Sequence, residues 1–295
     1  MTGPEVEPAF FNHRRLLFTI AYEMLGSASD AEDVLQESWL KWDGVDQRDV
    51  RDPRAYLVRI VTRTALDRLR LVARRREEYV GPWLPEPLLT APDVADDIVL
   101  AESLSMAMLL VLETLSPTER AVFVLREVFE LGYDELAEAV GKTPSAVRQI
   151  AHRAREHVAA RRPRGVTSHA ETRTALDAFR RALDTGDLQG LVDILAPDVV
   201  VLADGGGGRR ALPRPVIGSD KVGRLIALGV ATARAEQLSV QLTLANGWPA
   251  LVLRHGAEIH SVVGVDVEDG LVTTVYTMRN PDKLSRMGAE APVSR

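Results

Sequence analysis

Residues 139–158 read AVGKTPSAVRQIAHRAREHV. Gly141 closes one helix, Thr143 and Pro144 open another, and three arginines and two histidines follow on it. Glycine enters the left-handed conformation of a tight turn without steric cost. Threonine caps a helix and proline suits its first position. Upstream, from Tyr133, Leu136, Ala137 and Val140 fall on one helical face, with Ala137 small where two helices must cross closely. Downstream, Val147, Ile150, Ala151 and Ala154 form the inner face of the second helix. Together these features predict a helix-turn-helix. The outward face of its second helix presents Ser145, Arg148, Gln149, His152, Arg153 and Arg155. Arginine matches guanine and glutamine matches adenine in a major groove, and the others can hold phosphates. The plain alternative is a solvated polar face on a helical hairpin. Turn chemistry, capping and basic excess together favour DNA.

The chain has 295 residues, a length that suggests two or three domains, and a formal net charge of -6. The total hides a local pattern. Between Arg59 and Arg76 seven arginines face one acid, and between Lys142 and Arg164 seven basic residues face one acid. Between Asp30 and Asp52 eight acids face three bases. Phosphates respond to the field within about a Debye length, ~8–10 Å, so the acidic sum does not forbid DNA binding. It does predict weak non-specific binding. There is no cysteine, which removes disulfides, thiolate metal sites and a cysteine nucleophile. No apolar run approaches the ~20 residues needed to span a bilayer, and the start of the chain has no signal pattern. The expectation is a cytoplasmic protein away from the membrane, monomeric when free, with no metal or cofactor.

Outward from the opening stretch, residues 9–76 read as helices. The first stops at Gly26. Ser29 is the expected N-cap of the second, with Glu32 as its capping-box partner, and Asp52-Pro53 opens a long third helix running to about Glu78. Residues 80–97 contain four prolines and no helical pattern, which reads as a linker. Helices resume from 98 to about 160. After residue 170, two helices, a strand at VVVLA, a Gly-rich turn and a helix at about 219–229 precede four β-rich runs. Asn246-Gly247, His255-Gly256 and Asp269-Gly270 punctuate those runs as hairpin turns. Helices first and a meander last predict an α+β domain, one sheet face covered by helices.

The long third helix carries Arg59, Arg63, Arg70 and Arg74 along one stripe, beside an apolar face of Leu57, Ile60, Val61 and Leu71. Lysine is absent from it, and arginine forks suit phosphates and base edges. The helix before it mixes acids with Val34, Trp39, Leu40 and Trp42, which points to a protein partner rather than DNA.

The segments DAEDVLQESWLKW, RAYLVRIVTRTALDRLR and LSPTERAVFVLREVFELGYDELAEAVGKTPSAVRQIAHRARE resemble sigma domains 2 and 4 of the extracytoplasmic-function (ECF) sigma factors of bacterial RNA polymerase. The resemblance covers residues 9–160. It implies that Asp33, Gln36, Glu37 and Leu40 meet the clamp helices of the core polymerase. It implies that Arg59, Thr62, Arg63, Asp67, Arg70 and Arg74 act on the −10 element, and that the helix from Pro144 reads the −35 element. Arg63 stands where many family members carry asparagine. Residues 170–285 resemble the SnoaL-like domain, an α+β cone-shaped barrel related to ketosteroid isomerases and polyketide cyclases. A subgroup of the family carries that domain with WLPEP, DGGG and NPDKL motifs. Here these are Trp83, Leu84, Pro85, Glu86 and Pro87; Asp204, Gly205, Gly206 and Gly207; and Asn280, Pro281 and Asp282 with Lys283 and Leu284. The expected division is sigma domain 2 at 1–79, linker 80–97, sigma domain 4 at 98–162, linker 163–169, SnoaL-like domain 170–288 and a tail at 289–295.

Asp204, His255 and His260 are candidate bases should the C-terminal domain be an enzyme, with half-exposed sheet residues as the bland reading. GGGGRR lacks the Lys-Ser/Thr of a phosphate loop. Asp followed by four glycines reads better as a loop that another backbone approaches, and the extended WLPEP, with an exposed tryptophan, supplies that backbone. Three readings follow: a promoter-specificity subunit with an attached regulator, a SnoaL-like isomerase or cyclase fused to a DNA-binding module, and a ligand-sensing repressor. A small-molecule pocket in the C-terminal domain fits any of them. Two separate basic elements and an acidic, tryptophan-bearing helix favour the first, because a repressor needs only one helix-turn-helix and a dimer.

Overall fold

A computed structural model describes residues 7–77, 79, 81–161, 168–186, 188–206 and 212–295. The side chain of Arg74, and Gly207 as a whole, lie outside the described residues. The N-terminal half opens with α1 (Glu7–Leu25), α2 (Ala28–Asp43) and α3 (Pro53–Glu77). Leu17, Ile20, Ala21, Met24 and Leu25 recur at helical spacing on α1 and are wholly buried. Gly26 ends that helix at φ +65°, in the left-handed region. The cap of α2 is Ser27, not Ser29. Ser27 has the extended backbone a cap requires, and its Oγ accepts from the Asp30 amide at 3.1 Å. Ser29 instead turns its hydroxyl to Ser27 and Glu86. Trp42, expected on a partner surface, is fully buried, while Leu71 is 66% exposed on the far side of α3.

The linker is not structureless throughout. Pro92 starts a short helix, α4 (Pro92–Asp96). Then come α5 (Ile98–Leu104), α6 (Met106–Glu113), α7 (Pro117–Phe123), a π-helical turn at Val124–Val128, α8 (Tyr133–Val140) and α9 (Pro144–Arg161). Asp97, Ser105 and Ser116 cap α5, α6 and α7 through their side chains. One apolar core joins α1–α9, from Phe10 to Val158, so the two helical segments pack as a single body.

A polar group crosses that body. Glu23 on α1 accepts from Ser103 Oγ at 2.7 Å, and the Glu23 carbonyl accepts from Arg120 Nε at 3.0 Å; Arg120 also pairs with Glu113. Burial pushes the Glu23 carboxyl up to about 8 and the Arg120 guanidinium down to about 9.

The C-terminal half holds α10 (His169–Thr185), α11 (Gln189–Val192), β1 (Leu195–Asp204), β2 (Val216–Ile217), α12 (Ser219–Ala235), β3 (Ser239–Ala245), β4 (Trp248–His255), β5 (Glu258–Glu268), β6 (Leu271–Met278) and α13 (Pro281–Leu284). The strand order is β2-β1-β6-β5-β4-β3, parallel at β1–β6 and antiparallel elsewhere. Side chains alternate between the faces of a strand. Leu251, Leu253, Val265, Val267 and Val275 pack with α10 and α12, as the α+β reading expects. Ala250, Val252, Val262, Tyr276 and Met278 face the other way, against Leu84, Leu89, Met106 and Leu110 of the helical half. Both faces are therefore covered, which explains the unbroken apolar run Ala250–Leu253. Residues 289–295, expected as a tail, fold back on the helical half. Val293 joins its core, the Ser294 amide donates to Thr19 Oγ1 at 2.9 Å, and Arg295 pairs with Asp97 at 2.6 Å.

The Glu23 shift sets a pH dependence. A carboxyl with a raised folded pKa stabilises the fold fully below its unfolded value, and that contribution is lost as pH rises through about 8. Glu23→Gln keeps an acceptor for Ser103 and cannot ionise. Thermal melts from about pH 5 to 8 are expected to fall more steeply with rising pH for the native chain than for this variant.

Candidate functional site

On α9 the inner residues Val147, Ile150, Ala151 and Ala154 are buried, while Ser145, Arg148, Gln149, His152, Arg153 and Arg155 are all exposed. Gly141 takes φ +66°, and the Ala146 amide donates to Thr143 Oγ1 at 3.3 Å, so turn and cap form as the spacing predicts. Arg148 lies over the Tyr133 ring, Arg155 pairs with Glu127 at 3.8 Å, and His152 sits 3.6 Å from Glu156. These exposed pairs are weak and easily exchanged for phosphate.

The basic ridge of α3 is in a different state. Arg63 Nη2 donates to the Glu138 carbonyl at 2.7 Å and Nε to the Ala139 carbonyl at 3.4 Å. Arg59 pairs with the Glu138 carboxylate at 3.4 Å. The last turn of α8, the first helix of the helix-turn-helix, thus contacts two of the arginines expected at the −10 element, Arg59, which is half-buried, and Arg63, which keeps an exposed side. Arginines beside the last carbonyls of a helix meet the negative end of its dipole. Thr62 is fully buried, so in this arrangement it has no path to a nucleic acid. Asp67 and Arg70 are exposed and paired with each other at 2.8 Å.

Asp33, Gln36, Glu37 and Leu40 form an exposed strip on α2, with Leu40 65% exposed. Phe11 and Trp39, ring centroids 5.5 Å apart, extend its apolar part. Arg68 binds Asp33 and, at 2.8 Å, Asp30.

The three short C-terminal motifs meet on one buried carboxylate. Asp204, at the end of β1, is wholly buried and accepts from Lys283 Nζ at 2.8 Å, the Leu84 amide at 2.9 Å, the Gly206 amide at 3.1 Å and the Tyr79 hydroxyl. Lys283 Nζ also donates to the Leu84 carbonyl and lies 4.2 Å from the centre of the Trp83 ring. Asn280 caps α13 through the Asp282 amide and donates to Tyr79 Oη at 3.0 Å. Burial and the neighbouring Asp204 raise the Tyr79 hydroxyl above its usual range, so it stays a donor. Gly206 sits at φ +66°, and a Cβ there would fall 2.6 Å from the Asn280 side chain. Gly205 is buried beside it, while Pro281 and Asp282 are exposed. Trp83, expected to be exposed, is half-buried because Gly26 leaves room for its ring edge. Leu84, Pro85, Glu86 and Pro87 are buried.

Glu86 works toward the other half. Its carboxylate accepts from the Ala28 and Ser29 amides at 2.8 and 3.2 Å and from Ser27 Oγ at 3.0 Å, so the linker supplies a second cap to α2. Sequence reasoning missed Tyr22, Tyr79, Asn246 and Trp248. Tyr22 Oη donates to the Glu86 carbonyl at 2.6 Å and accepts from Asn246 Nδ2 at 2.7 Å; Trp248 Nε1 donates to the Ala101 carbonyl at 2.8 Å. The hairpin turn Asn246-Gly247 was legible, but its role as a plug in the helical half had no local signal. The three candidate bases do not gather into one site. Asp204 belongs to the linker contact, His255 is exposed at the end of β4, and His260 is near Glu236 and Arg279 at 3.6 and 3.3 Å.

Two family models match the chain: Sigma-70 region 2 over residues 10–75 and Sigma-70, region 4 over residues 105–158. The chain is similar to the "ECF RNA polymerase sigma factor SigJ" of Mycobacterium tuberculosis, 38% identical over 92% of this chain and 91% of that protein. It is similar to the "Probable ECF RNA polymerase sigma factor SigI" of the same organism, 31% identical over 97% of each. The crystal structure of SigJ superposes with a TM-score of 0.73 at 34% identity, covering 94% of this chain and 97% of that one.

The Lys283–Asp204 contact makes a quantitative expectation. Removing one member of a buried ion pair strands the other and costs about 3–5 kcal/mol. Lys283→Met is expected to lower the unfolding free energy by that order. Adding Asp204→Asn to the same chain is expected to recover a large part of the loss in a double-mutant cycle read by chemical denaturation.

Proposed function

Because this chain belongs to the ECF sigma factors of RNA polymerase, we propose that it directs core polymerase to specific promoters and that its fused C-terminal domain controls when it does so. The exposed strip Asp33, Gln36, Glu37 and Leu40 is the core contact, meeting the polymerase clamp helices. Arg148 and Gln149 read base edges of the −35 element, with Ser145, His152, Arg153 and Arg155 on its phosphates or flanking bases. Arg59, Arg63 and Arg70 serve the −10 element, with Arg74 as a phosphate contact from the same helix. The C-terminal domain acts by docking rather than by chemistry, and the protein works in the cytoplasm, where promoter and polymerase are. Among the described residues, no helix is long and apolar enough to cross a membrane.

The observation that carries this reading is the occupation of Arg59 and Arg63 by the end of α8. An arginine whose Nε and one Nη are turned to backbone carbonyls has fewer donors to offer DNA and is not free to aim its fork at a base edge. We read this as a closed form, in which the −35 helix is open and Arg59 and Arg63 are engaged by α8. Transcription requires the two helical segments to part. The extended linker, the β3–β4 turn and the final residues all bridge the parting surfaces, so the C-terminal domain holds the closed form. A bias of about 1.4 kcal/mol changes the ratio of closed to open tenfold, so modest changes in docking suffice for control.

Run-off transcription with purified core polymerase tests the reading. Asp33→Arg with Glu37→Arg is expected to abolish co-purification with core and leave the circular dichroism spectrum unchanged; intact initiation by that variant would refute the core contact. Arg148→Ala is expected to cost roughly 1–3 kcal/mol and to relax preference at one base pair of the −35 element. Equal weakening on every promoter sequence would make Arg148 a phosphate contact instead. Glu138→Ala removes one partner of Arg59 and is expected to raise transcription; an unchanged or lower rate would count against the closed-form reading.

A further inference from the structure

Part of the outer face of the sheet stands off the helical half. A cavity of about 730 Å³ separates it from α5 and α6, within the range of small-molecule sites, ~300–1,000 Å³. Its walls are mainly apolar: Leu84 and Met106 on one side, Ala250, Val262 and Met278 on the other. Trp248 stacks on His169 at a centroid distance of 4.3 Å, and both line the space. None of Asp204, His255 and His260 lines it.

Two features set this space apart from a packing fault. The first is Gly264, in the middle of β5 and opposite Tyr276 in register. Glycine weakens a strand and is usual where another backbone or a ligand comes close. No neighbouring atom comes within 4 Å of a Cβ built at Gly264, so no backbone explains it. The second is Asp266, two residues on and on the same face. Its carboxylate lines the cavity and accepts from the Tyr276 hydroxyl. Burial pushes its pKa up to about 6, so at neutral pH it is largely ionised against apolar walls. Among the described residues, Tyr276 is its one recorded side-chain donor, on one of its two oxygens. Asp266 is half-buried, and a carboxylate held so has acceptor capacity to spare for a donor that enters the cavity.

We propose that this cavity is a binding site for a small, uncharged, largely apolar molecule with one hydroxyl or N–H group, which donates to Asp266 while its body lies over Gly264. The site is not the space inside the domain beneath α10 and α12. It exists only where the domain meets the helical half. A molecule lodged there touches both halves and stabilises the closed form, since a ligand shifts an equilibrium by its differential affinity for the two states. That regulatory consequence rests on the closed-form reading above; the binding itself does not.

Calorimetric titration of the full-length protein with 2-naphthol tests the site. Saturable one-to-one binding is expected. 2-Methoxynaphthalene, which cannot donate, is expected to bind at least about tenfold more weakly, as is 2-naphthol to Asp266→Asn, because a hydrogen bond to a charged group is lost. Gly264→Leu fills the space without meeting a neighbour at its Cβ and is expected to abolish binding while melting no lower than the native chain. No saturable binding up to about 1 mM, or undiminished binding by Gly264→Leu, would overturn the site. Equal affinity for 2-naphthol and its methyl ether, or for the native chain and Asp266→Asn, would overturn Asp266 as the anchor. If binding holds and 2-naphthol leaves run-off transcription unchanged, the regulatory consequence fails and the site stands.

Discussion

An extended, proline-rich segment cannot satisfy its own backbone, and here that segment is buried. Every polar group it carries inward must be met from outside. Between Leu84 and Thr90 most of these groups are met. The Leu84 amide donates to Asp204 and its carbonyl accepts from Lys283. The Glu86 amide donates to the Gly26 carbonyl and its carbonyl accepts from Tyr22. The Leu88 amide and carbonyl both bond to Asn246, the Leu89 carbonyl accepts from the Ala291 amide, and the Thr90 amide donates to Leu244. Partners alternate between the helical half and the sheet domain. Neither half alone could hold the linker in this path, so the arrangement of the molecule follows from seven residues.

This constraint joins parts that otherwise have separate duties. Glu86 caps α2, whose exposed side carries the strip proposed above as the core contact. Asp204 holds the Leu84 end of the same segment, and the closing residues of the chain reach back past Leu89 to Thr19 and Asp97. Parting the two helical segments therefore disturbs the linker, and disturbing the linker exposes backbone groups. The coupling needs no long pathway, because one short stretch touches every moving part.

The helical half was largely legible in the sequence. Gly141, Thr143 and Pro144 form their turn and cap by local rules, and the apolar stripes bury as their spacing requires. Where sequence reading missed, the deciding partner was far away in the chain. Ser27 rather than Ser29 caps α2 because Glu86, more than fifty residues on, claims the Ser29 hydroxyl. Trp42 reads as a surface residue in an acidic helix, yet it is buried beside Tyr56. The WLPEP, DGGG and NPDKL segments were recognisable as motifs, but their meeting at Asp204, with Tyr79 as a further member, is a fact of tertiary geometry. Asp266 and Tyr276 gave no signal at all, since alternation along a strand tells which residues share a face and not what covers it.

The chemistry of the closing contacts bears on how they open. Apolar surfaces of the same size would hold the halves together with less selectivity and at a larger net gain. Buried hydrogen bonds and ion pairs contribute little net stability when intact, because desolvation offsets most of the attraction. They cost heavily when only one partner is removed. Asp204 with Lys283 is a contact of this kind, and Arg63 with the end of α8 is its solvent-exposed counterpart, where the net worth of the contact is smaller still. Each holds firmly while both partners are present, and each can be exchanged at small net cost for a new partner of the same charge pattern. On the function proposed above, such a partner for Arg63 is a phosphate or a base edge. On that reading Arg59 and Arg63 are withheld by α8 and later given to DNA without a large energy gap between the two states, as a reversible control device requires.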